Sequence, residues 1–367
     1  MSEVSAPSHA DVPLADSAAV NDGPLRLSVV IACYKDALAI PLMHKRLTDV
    51  LSCLAVGYEI IFVNDGSPDD TDSVLKELTA NDQHLLAIEH SRNFGAQNAF
   101  VSGMQLATGD AVVLLDGDLQ DPPEVIPALY EKWRQGNDVV YGRRAKRETS
   151  TLLAICYKVF YKIFRAVSYV PMPLDAGDFS LMDRKVVNEL LLLPETDQFL
   201  RGLRAWVGFS QTGVDYVRPK RAFGRSNHSL LKNIWWAKKG IFSFSFVPMD
   251  LLSYAGATMT VLSFLAVVYQ IIDKLHHPEI PHGISTIIVL ILFFGSLNVL
   301  AIAVLGEYII RIFEETKRRP KFIRKAVRQG GEYFNTAAEI ETFLWRRSRK
   351  TAAHRSPCAR SLDGCER

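Results

Sequence analysis

From Leu25 onward, short apolar runs alternate with stretches of helical spacing. Leu27–Ala32 reads as a buried strand, broken by the polar Tyr34, Lys35 and Asp36. Tyr58–Val63 is a second, ending in Asn64-Asp65-Gly66-Ser67, and Asp70–Thr79 follows as a helix. Leu85–Glu89 is a third strand, followed by a helix over Asn93–Ala107. Ala111–Leu115 is a fourth, ending in Asp116-Gly117-Asp118. Near-continuous apolar strands separated by helices predict an α/β fold with a mostly parallel sheet covered on both faces. Ligands of such sheets bind beyond the carboxyl ends of the strands, where these polar clusters fall.

Past about residue 145 the pattern loosens. Leu152–Val170 places Lys158, Lys162 and Arg165 at spacings of four and three among apolar residues. That predicts a basic amphipathic helix lying on a membrane, or else an ordinary half-buried helix. Two uncharged apolar runs follow, 251–272 and 284–306. Each is long enough to cross a hydrocarbon layer of roughly 30 Å as a helix. The link between them is short, so they predict a transmembrane hairpin. Lys317, Arg318, Arg319, Lys321, Arg324, Lys325 and Arg328 follow the second run, Lys232, Lys238 and Lys239 precede the first, and the link holds only Lys274. This asymmetry places both ends in the cytosol. Trp235 and Trp236 beside Lys238 and Lys239 suit a headgroup zone. The resulting division is a flexible tail over 1–24, a catalytic domain over 25–230, an interfacial segment over 231–250, a hairpin over 251–312 and a basic cytosolic tail over 313–367. A chain cut at about Phe246 is expected to keep a folded catalytic domain.

Composition narrows the functional classes. Among 367 residues, 48% are hydrophobic, which excludes a wholly disordered chain. Lys+Arg 42 against Asp+Glu 40 excludes a global polyanion binder, and no nucleic-acid motif is present. Cys33, Cys53, Cys156, Cys358 and Cys365 form no CxxC and no metal-ligand spacing, so they read as reduced thiols. His276, His277 and His282 read as a solvated loop cluster, and His228 as a structural or phosphate-bonding residue.

The chemistry sits at the strand ends. Two carboxylates one residue apart, Asp116 and Asp118, can hold a hard cation such as Mg2+ or Mn2+ while leaving positions open for phosphate oxygens. A surface turn carries the same triplet, so position after a central strand is what raises it. Asp65 can accept from a base or ribose hydroxyl, or close a simple Asx turn.

Taken in order, SVVIACYKD, EIIFVNDGSPDDT, NFGAQNAF, LLDGDLQDPPE, VVYGRR and GDFSLMDR resemble the family 2 glycosyltransferases of GT-A fold. Within them the resemblance is to the polyprenol-phosphate group, which includes bactoprenol glucosyltransferases and dolichol-phosphate mannose synthases. It covers roughly residues 25–230, and the two-run hairpin matches the bactoprenol type. The resemblance implies that Ala32, Tyr34 and Asp36 contact the nucleotide, with Lys35 in place of the usual Asn. It implies that Asp65 holds the base or ribose. Asp116 and Gly117 bind the nucleotide sugar, while Asp116, Asp118 and Gln120 hold the metal. Arg144 faces the phosphates, and Asp178 lies near the acceptor. Arg201 and Arg225 fall in phosphate-binding segments. The catalytic set so implied is Asp118, Asp178 and Arg144. Ala32, Lys35, Asn64 and Ala96 depart from the family pattern.

These assignments imply an inverting transfer of sugar from a UDP- or GDP-linked donor to a polyprenyl phosphate. Asp178 would either accept a proton or orient an arginine. The enzyme would sit in the cytoplasmic (inner) membrane as a multi-pass protein, with its catalytic domain and both termini cytosolic. Relatives imply a homo-oligomer. Two other readings compete. A processive polysaccharide synthase would carry Gln-x-x-Arg-Trp, but Gly202 follows Gln198-Phe199-Leu200-Arg201 here. A non-catalytic nucleotide-sugar scaffold would not need the intact acidic set.

Overall fold

The computed structural model describes residues 25–144, 176–219 except 197, 245, 247–276 and 284–355. Strands β1 (Arg26–Cys33), β2 (Gly57–Asn64), β3 (Leu85–His90) and β4 (Ala111–Asp116) run parallel in the order β3-β2-β1-β4. Helices α1 (Ile40–Cys53), α2 (Thr71–Asn81) and α3 (Ala96–Leu106) make the crossovers. The expected alternation is therefore the observed one, with boundaries moved by a residue or two. Side chains along β1 alternate between two cores. Val30 and Ala32 pack with Phe100 and Met104 of α3. Leu27, Val29 and Ile31 pack with Ile40, Met43 and Leu47 of α1. Because the strand period is two and both faces are covered, β1 has no polar face.

The chain runs outward from β1 to β2 and β3, then returns through α3 to β4 on the other side of β1. That reversal opens a crevice at the carboxyl ends of β1 and β4. Ala32 stands between Val63 of β2 and Asp116 of β4 at this edge. Strand β5 (Val139–Arg144) follows α4 (Ile126–Arg134), and β6 (Ala176–Asp183) inserts antiparallel between β4 and β5. Helices α5 (Arg184–Leu192) and α6 (Leu200–Trp206) come next, and β7 (Gln211–Tyr216) pairs parallel with β5. Asp183 caps α5 by accepting from the Lys185 amide at 2.9 Å. The sheet is thus parallel at its centre and mixed at its flanks.

Two long helices follow, α7 (Val247–His276) and α8 (Ile284–Thr316), and they contain the two apolar runs. Leu251, Tyr254, Phe264, Val299, Leu300 and Ile302 are exposed on them. Among the described residues, one stretch, Phe293–Thr316, is long and apolar enough to cross a membrane by length and composition.

The segment expected to be a basic tail has a different place. β8 (Arg324–Gln329) pairs antiparallel with β3, and β9 (Glu332–Phe334) pairs with β8. Gly330 and Gly331 join them, both at positive φ as a two-residue hairpin turn requires. Helix α9 (Ala337–Arg355) then packs Ile340 into the core that contains α3. The cations there are largely engaged inside the domain. Arg328 forks onto Asp72, Lys325 pairs with Glu89, and Arg324 bonds Ser102 and Gln105. The sheet therefore extends past the long helices, and a cut near residue 246 would strip β3 of its neighbour. An uncovered β3 edge would leave a row of backbone groups unpaired, which counts physically against the expected folded fragment.

The amphipathic stretch 152–170, Arg225, His228 and the Trp235-Trp236 pair lie outside the described residues. So do the tail over 1–24 and the link residues 277–283.

Candidate active site

The loop after β1 begins the site. Asp36 is buried, and its carboxylate accepts from the Tyr34 amide at 3.0 Å. Lys35 between them has φ 62 and donates its amide to Ser67 Oγ. An asparagine would adopt that left-handed backbone at lower cost, which is why Lys35 is a conspicuous departure. After β4, Gly117 packs so tightly that an added Cβ would lie 2.9 Å from Cys33 Sγ and 3.0 Å from the Ala32 carbonyl. Only a residue without a side chain lets the β1 and β4 ends close together here. Asp118 accepts from the Gln120 amide at 3.1 Å, and Leu119 between them has φ 60. Two strained non-glycine positions thus flank the crevice, as functional loops often show.

Electrostatics mark the same place. The Asp116 carboxyl is pushed well above its ordinary range, first by burial and then by the negative charges of Asp121, Asp178 and Asp118. Asp121, almost fully buried, is also pushed up by burial, although Arg218 at 3.8 Å and the Tyr216 hydroxyl at 2.5 Å oppose this. Burial also raises the Tyr216 phenol, and Asp121 adds to it. Burial works against the charge on Arg144, but Tyr216, Asp121 and Asp116 outweigh it and hold its pKa above the ordinary value. The crevice therefore carries carboxylates with incomplete compensation, faced by a guanidinium.

That imbalance suits a hard divalent cation, and the donors are all oxygens. Among the described residues no three His, Cys, Asp or Glu side chains enclose a metal by themselves. Asp116, Asp118 and Gln120 could supply oxygen donors to such a cation, with its remaining positions left to phosphate oxygens. Gln120 turns its amide nitrogen toward the Pro219 carbonyl at a long 3.5 Å, leaving its oxygen for another partner.

Asp178 anchors the second half of the site. Its Oδ1 lies 3.3 Å from Arg201 Nε, an ion pair not aligned as a hydrogen bond. Its Oδ2 accepts from Gln97 Nε2 at 3.0 Å, and Gln97 Oε1 accepts from the Leu200 amide at the start of α6. Arg204, one turn after Arg201, is buried with its guanidinium 5.6 Å from the Tyr141 ring centre. Burial lowers its pKa to about 10, while Asp178 raises it. A Cβ added at Gly177 would lie 3.1 Å from Arg144 Nη2, so only glycine leaves that guanidinium its room. Arg201 thus stands beside Asp178, and the Asp178 charge also acts on Asp116 across the crevice.

Asp65 is placed differently from a base or ribose ligand. Its carboxylate is turned inward, accepting from the Phe94 and Gly95 amides at 2.9 and 2.7 Å and meeting His90 Nδ1 at 2.8 Å. Both oxygens are thus used to hold the entry to α3. Asn64 Oδ1 accepts from the Ser67 amide, so the Asn64–Ser67 element closes an Asx turn. Arg204, Gln97, Asp121 and Tyr216 belong to the site but carry no strong signal in the sequence. Arg204 could have been found from its one-turn spacing to Arg201, and Asp121 and Gln97 from the motifs that contain them.

The model of glycosyl transferase family 2 matches residues 28–191. The uncharacterized glycosyltransferase YkcC of Bacillus subtilis is 41% identical over 82% of this chain and 93% of its own length. The chain belongs to glycosyl transferase family 2. It is an α/β glycosyltransferase of the GT-A type. The bactoprenol glucosyl transferase of Shigella phage SfV is 39% identical over 83% of this glycosyltransferase and all of its own length. A glucosyl-3-phosphoglycerate synthase from Mycobacterium tuberculosis superposes over 59% of this chain and 77% of its own, at 19% identity and a TM-score of 0.38, too loosely to speak for the site.

Proposed function

We propose that this glycosyltransferase moves a sugar from a UDP- or GDP-linked donor to a polyprenyl phosphate of the undecaprenyl type. The observation that carries the reading is one crevice with two unlike halves. Carboxylates Asp116 and Asp118, with Arg144, lie at one end, and the arginines Arg201 and Arg204 stand by Asp178 at the other. The acidic half suits a diphosphate bound through a cation, and the basic half suits a second phosphate. Relatives named bactoprenol glucosyl transferase, similar along 83% of this chain and nearly all of their own length, support a lipid acceptor.

Mg2+ or Mn2+ at Asp116, Asp118 and Gln120 would supply charge neutralisation to the departing nucleoside diphosphate. Arg144, held charged by Asp121 and Asp116, adds to that stabilisation from the protein side. A phosphate monoester has a second pKa of about 6, so the acceptor is mostly ionised at neutral pH and needs no strong base. Asp178 has Arg201 on one oxygen and Gln97 on the other. Those partners favour its orienting Arg201 toward the acceptor phosphate over its accepting a proton. One displacement of this kind inverts the anomeric centre.

In this reading α7 and α8 cross the cytoplasmic membrane and both termini stay in the cytosol. The exposed apolar side chains of the two helices support it, as do Lys317, Arg318 and Arg319 at the end of α8. The test is transfer of radiolabel from a panel of UDP- and GDP-sugars into lipid, using membranes supplied with undecaprenyl phosphate, with and without EDTA. Label entering the lipid phase, lost with EDTA and restored by Mg2+ or Mn2+, is expected. Absence of transfer from every donor by a sample that still binds nucleotide would support the scaffold reading instead.

A further inference from the structure

The end of α8 does not hang free of the catalytic domain. Glu315, in its last turn, accepts from the Thr196 amide at 2.9 and 3.1 Å and from the Thr196 hydroxyl at 3.0 Å. Lys321 Nζ donates to the Leu193 carbonyl at 2.8 Å. The Ser91 amide donates to the Ile323 carbonyl at 3.0 Å, one residue before β8 enters the sheet. Three ties within nine residues therefore fix where the helix leaves the domain. Two of them fall on the residues between α5 and α6. That connection leads directly to Leu200, whose amide is held by Gln97, and to Arg201 beside Asp178. The helix end is thus fastened to the segment that delivers the basic half of the site.

We infer that Glu315 is a positioning residue that sets the acceptor side of the crevice at a fixed station relative to the membrane, through its clasp on Thr196. The inference rests on the proposed use of a polyprenyl phosphate and on α8 as a spanning helix. Its physical basis is effective concentration. A lipid phosphate held in the bilayer meets Arg201 often only if the crevice is presented at its depth, so loosening the exit of α8 lowers the local encounter frequency. A water-soluble acceptor has no such constraint.

The experiment uses the full chain in nanodiscs with undecaprenyl phosphate, and separately a short-chain, water-soluble prenyl phosphate. Glu315→Ala is expected to raise KM for the embedded acceptor about ten-fold, in line with the loss of hydrogen bonds to a charged group. KM for the soluble acceptor and donor affinity should stay as in the unaltered chain, while the thermal unfolding midpoint falls slightly with the lost hydrogen bonds. Thr196→Val should show a smaller rise, and Thr196→Ser should restore the unaltered value. An unchanged KM for the embedded acceptor in Glu315→Ala overturns the inference. Equal losses with both acceptors also overturn it by showing a general structural role. No transfer to either acceptor by the unaltered chain would instead sink the functional reading on which it stands.

Discussion

Glu59 is buried near the start of β2, and its charge is answered from far along the chain. Arg347 of α9 donates Nη2 to Glu59 Oε2, Nη1 to Gln329 Oε1 at 3.1 Å and Nε to the Leu106 carbonyl at 2.5 Å. Replacing Arg347 with alanine removes the counter-charge and leaves the carboxylate in place. Breaking a buried pair from one side costs about 3–5 kcal/mol. Ser28 Oγ and the amide and hydroxyl of Thr108 still donate to Glu59 Oε1, and Arg26 stands 3.7 Å from Oε2. Those remaining partners put the expected loss near the lower end, about 3 kcal/mol. In a chain of this size that lowers the unfolding midpoint by roughly 4 °C, read by intrinsic fluorescence of the full chain in detergent. Burial alone would raise the Glu59 carboxyl, but Arg347, Ser28, Thr108 and Arg26 outweigh it and hold it below its ordinary value. A depressed carboxylate contributes stability above its unfolded pKa of about 4.3 and loses it as pH falls through the folded value. Without Arg347 that contribution shrinks or reverses, so the gap between variant and unaltered chain should be widest near neutrality and narrow as pH approaches 4. Adding Glu59→Gln should recover part of the loss. A midpoint unchanged at neutral pH, or a gap that widens in acid, would refute the role assigned to this pair.

Three further outcomes follow from the same geometry. Asp118→Asn should abolish transfer while leaving the unfolding midpoint within about 2 °C, because asparagine keeps an acceptor for the Gln120 amide and removes one of the charges crowding Asp116; turnover and midpoint measured together decide it. Gly66→Ala should destabilise the chain by at least 1–2 kcal/mol, the approximate cost of left-handed backbone for a residue with a side chain, since φ is 63 there and the new Cβ would lie 2.4 Å from the Arg92 carbonyl carbon; chemical denaturation measures it. Tyr216→Phe removes the donor to buried Asp121 and should cost about 1–3 kcal/mol, with a drop in kcat as Arg144 loses its neighbour, both read on one preparation.

The four central strands and the acidic strand ends were legible because their signals are local. Ile60, Ile61, Phe62 and Val63 form a run whose only good use is a strand buried on both faces, and the polar residues after it must lie at its end. Asp116, Asp118, Arg144 and Asp178 were expected at the site from motif order, and the charges of Asp118 and Asp178 act on Asp116 while Asp116 and Asp121 act on Arg144. The direction of a side chain at a strand end is not local. Asp65 follows β2 as Asp116 follows β4, yet Asp65 turns inward because the Phe94 and Gly95 amides and His90 offer it three partners. Those partners lie about thirty residues on, and nothing around Asp65 announces them.

The same distinction explains the end of the chain. The density of cations over 317–328 was plain in the sequence and suited a membrane-flanking tail. That charge pattern records only the sign of the side chains, and a cation beside a bilayer and a cation beside a buried carboxylate look alike. Which it is depends on what the fold leaves open. Because β3 ends the parallel run with a free edge, and an unpaired edge is costly, Arg324–Gln329 returns from beyond two long helices to close it. Periodicity along the chain thus determined the alternating α/β core, the two long apolar helices and the chemistry at the strand ends. Tertiary structure decided which charges face solvent, which face one another, and how the helix beyond residue 284 is tied to the site, because those outcomes depend on contacts between segments that no local pattern records.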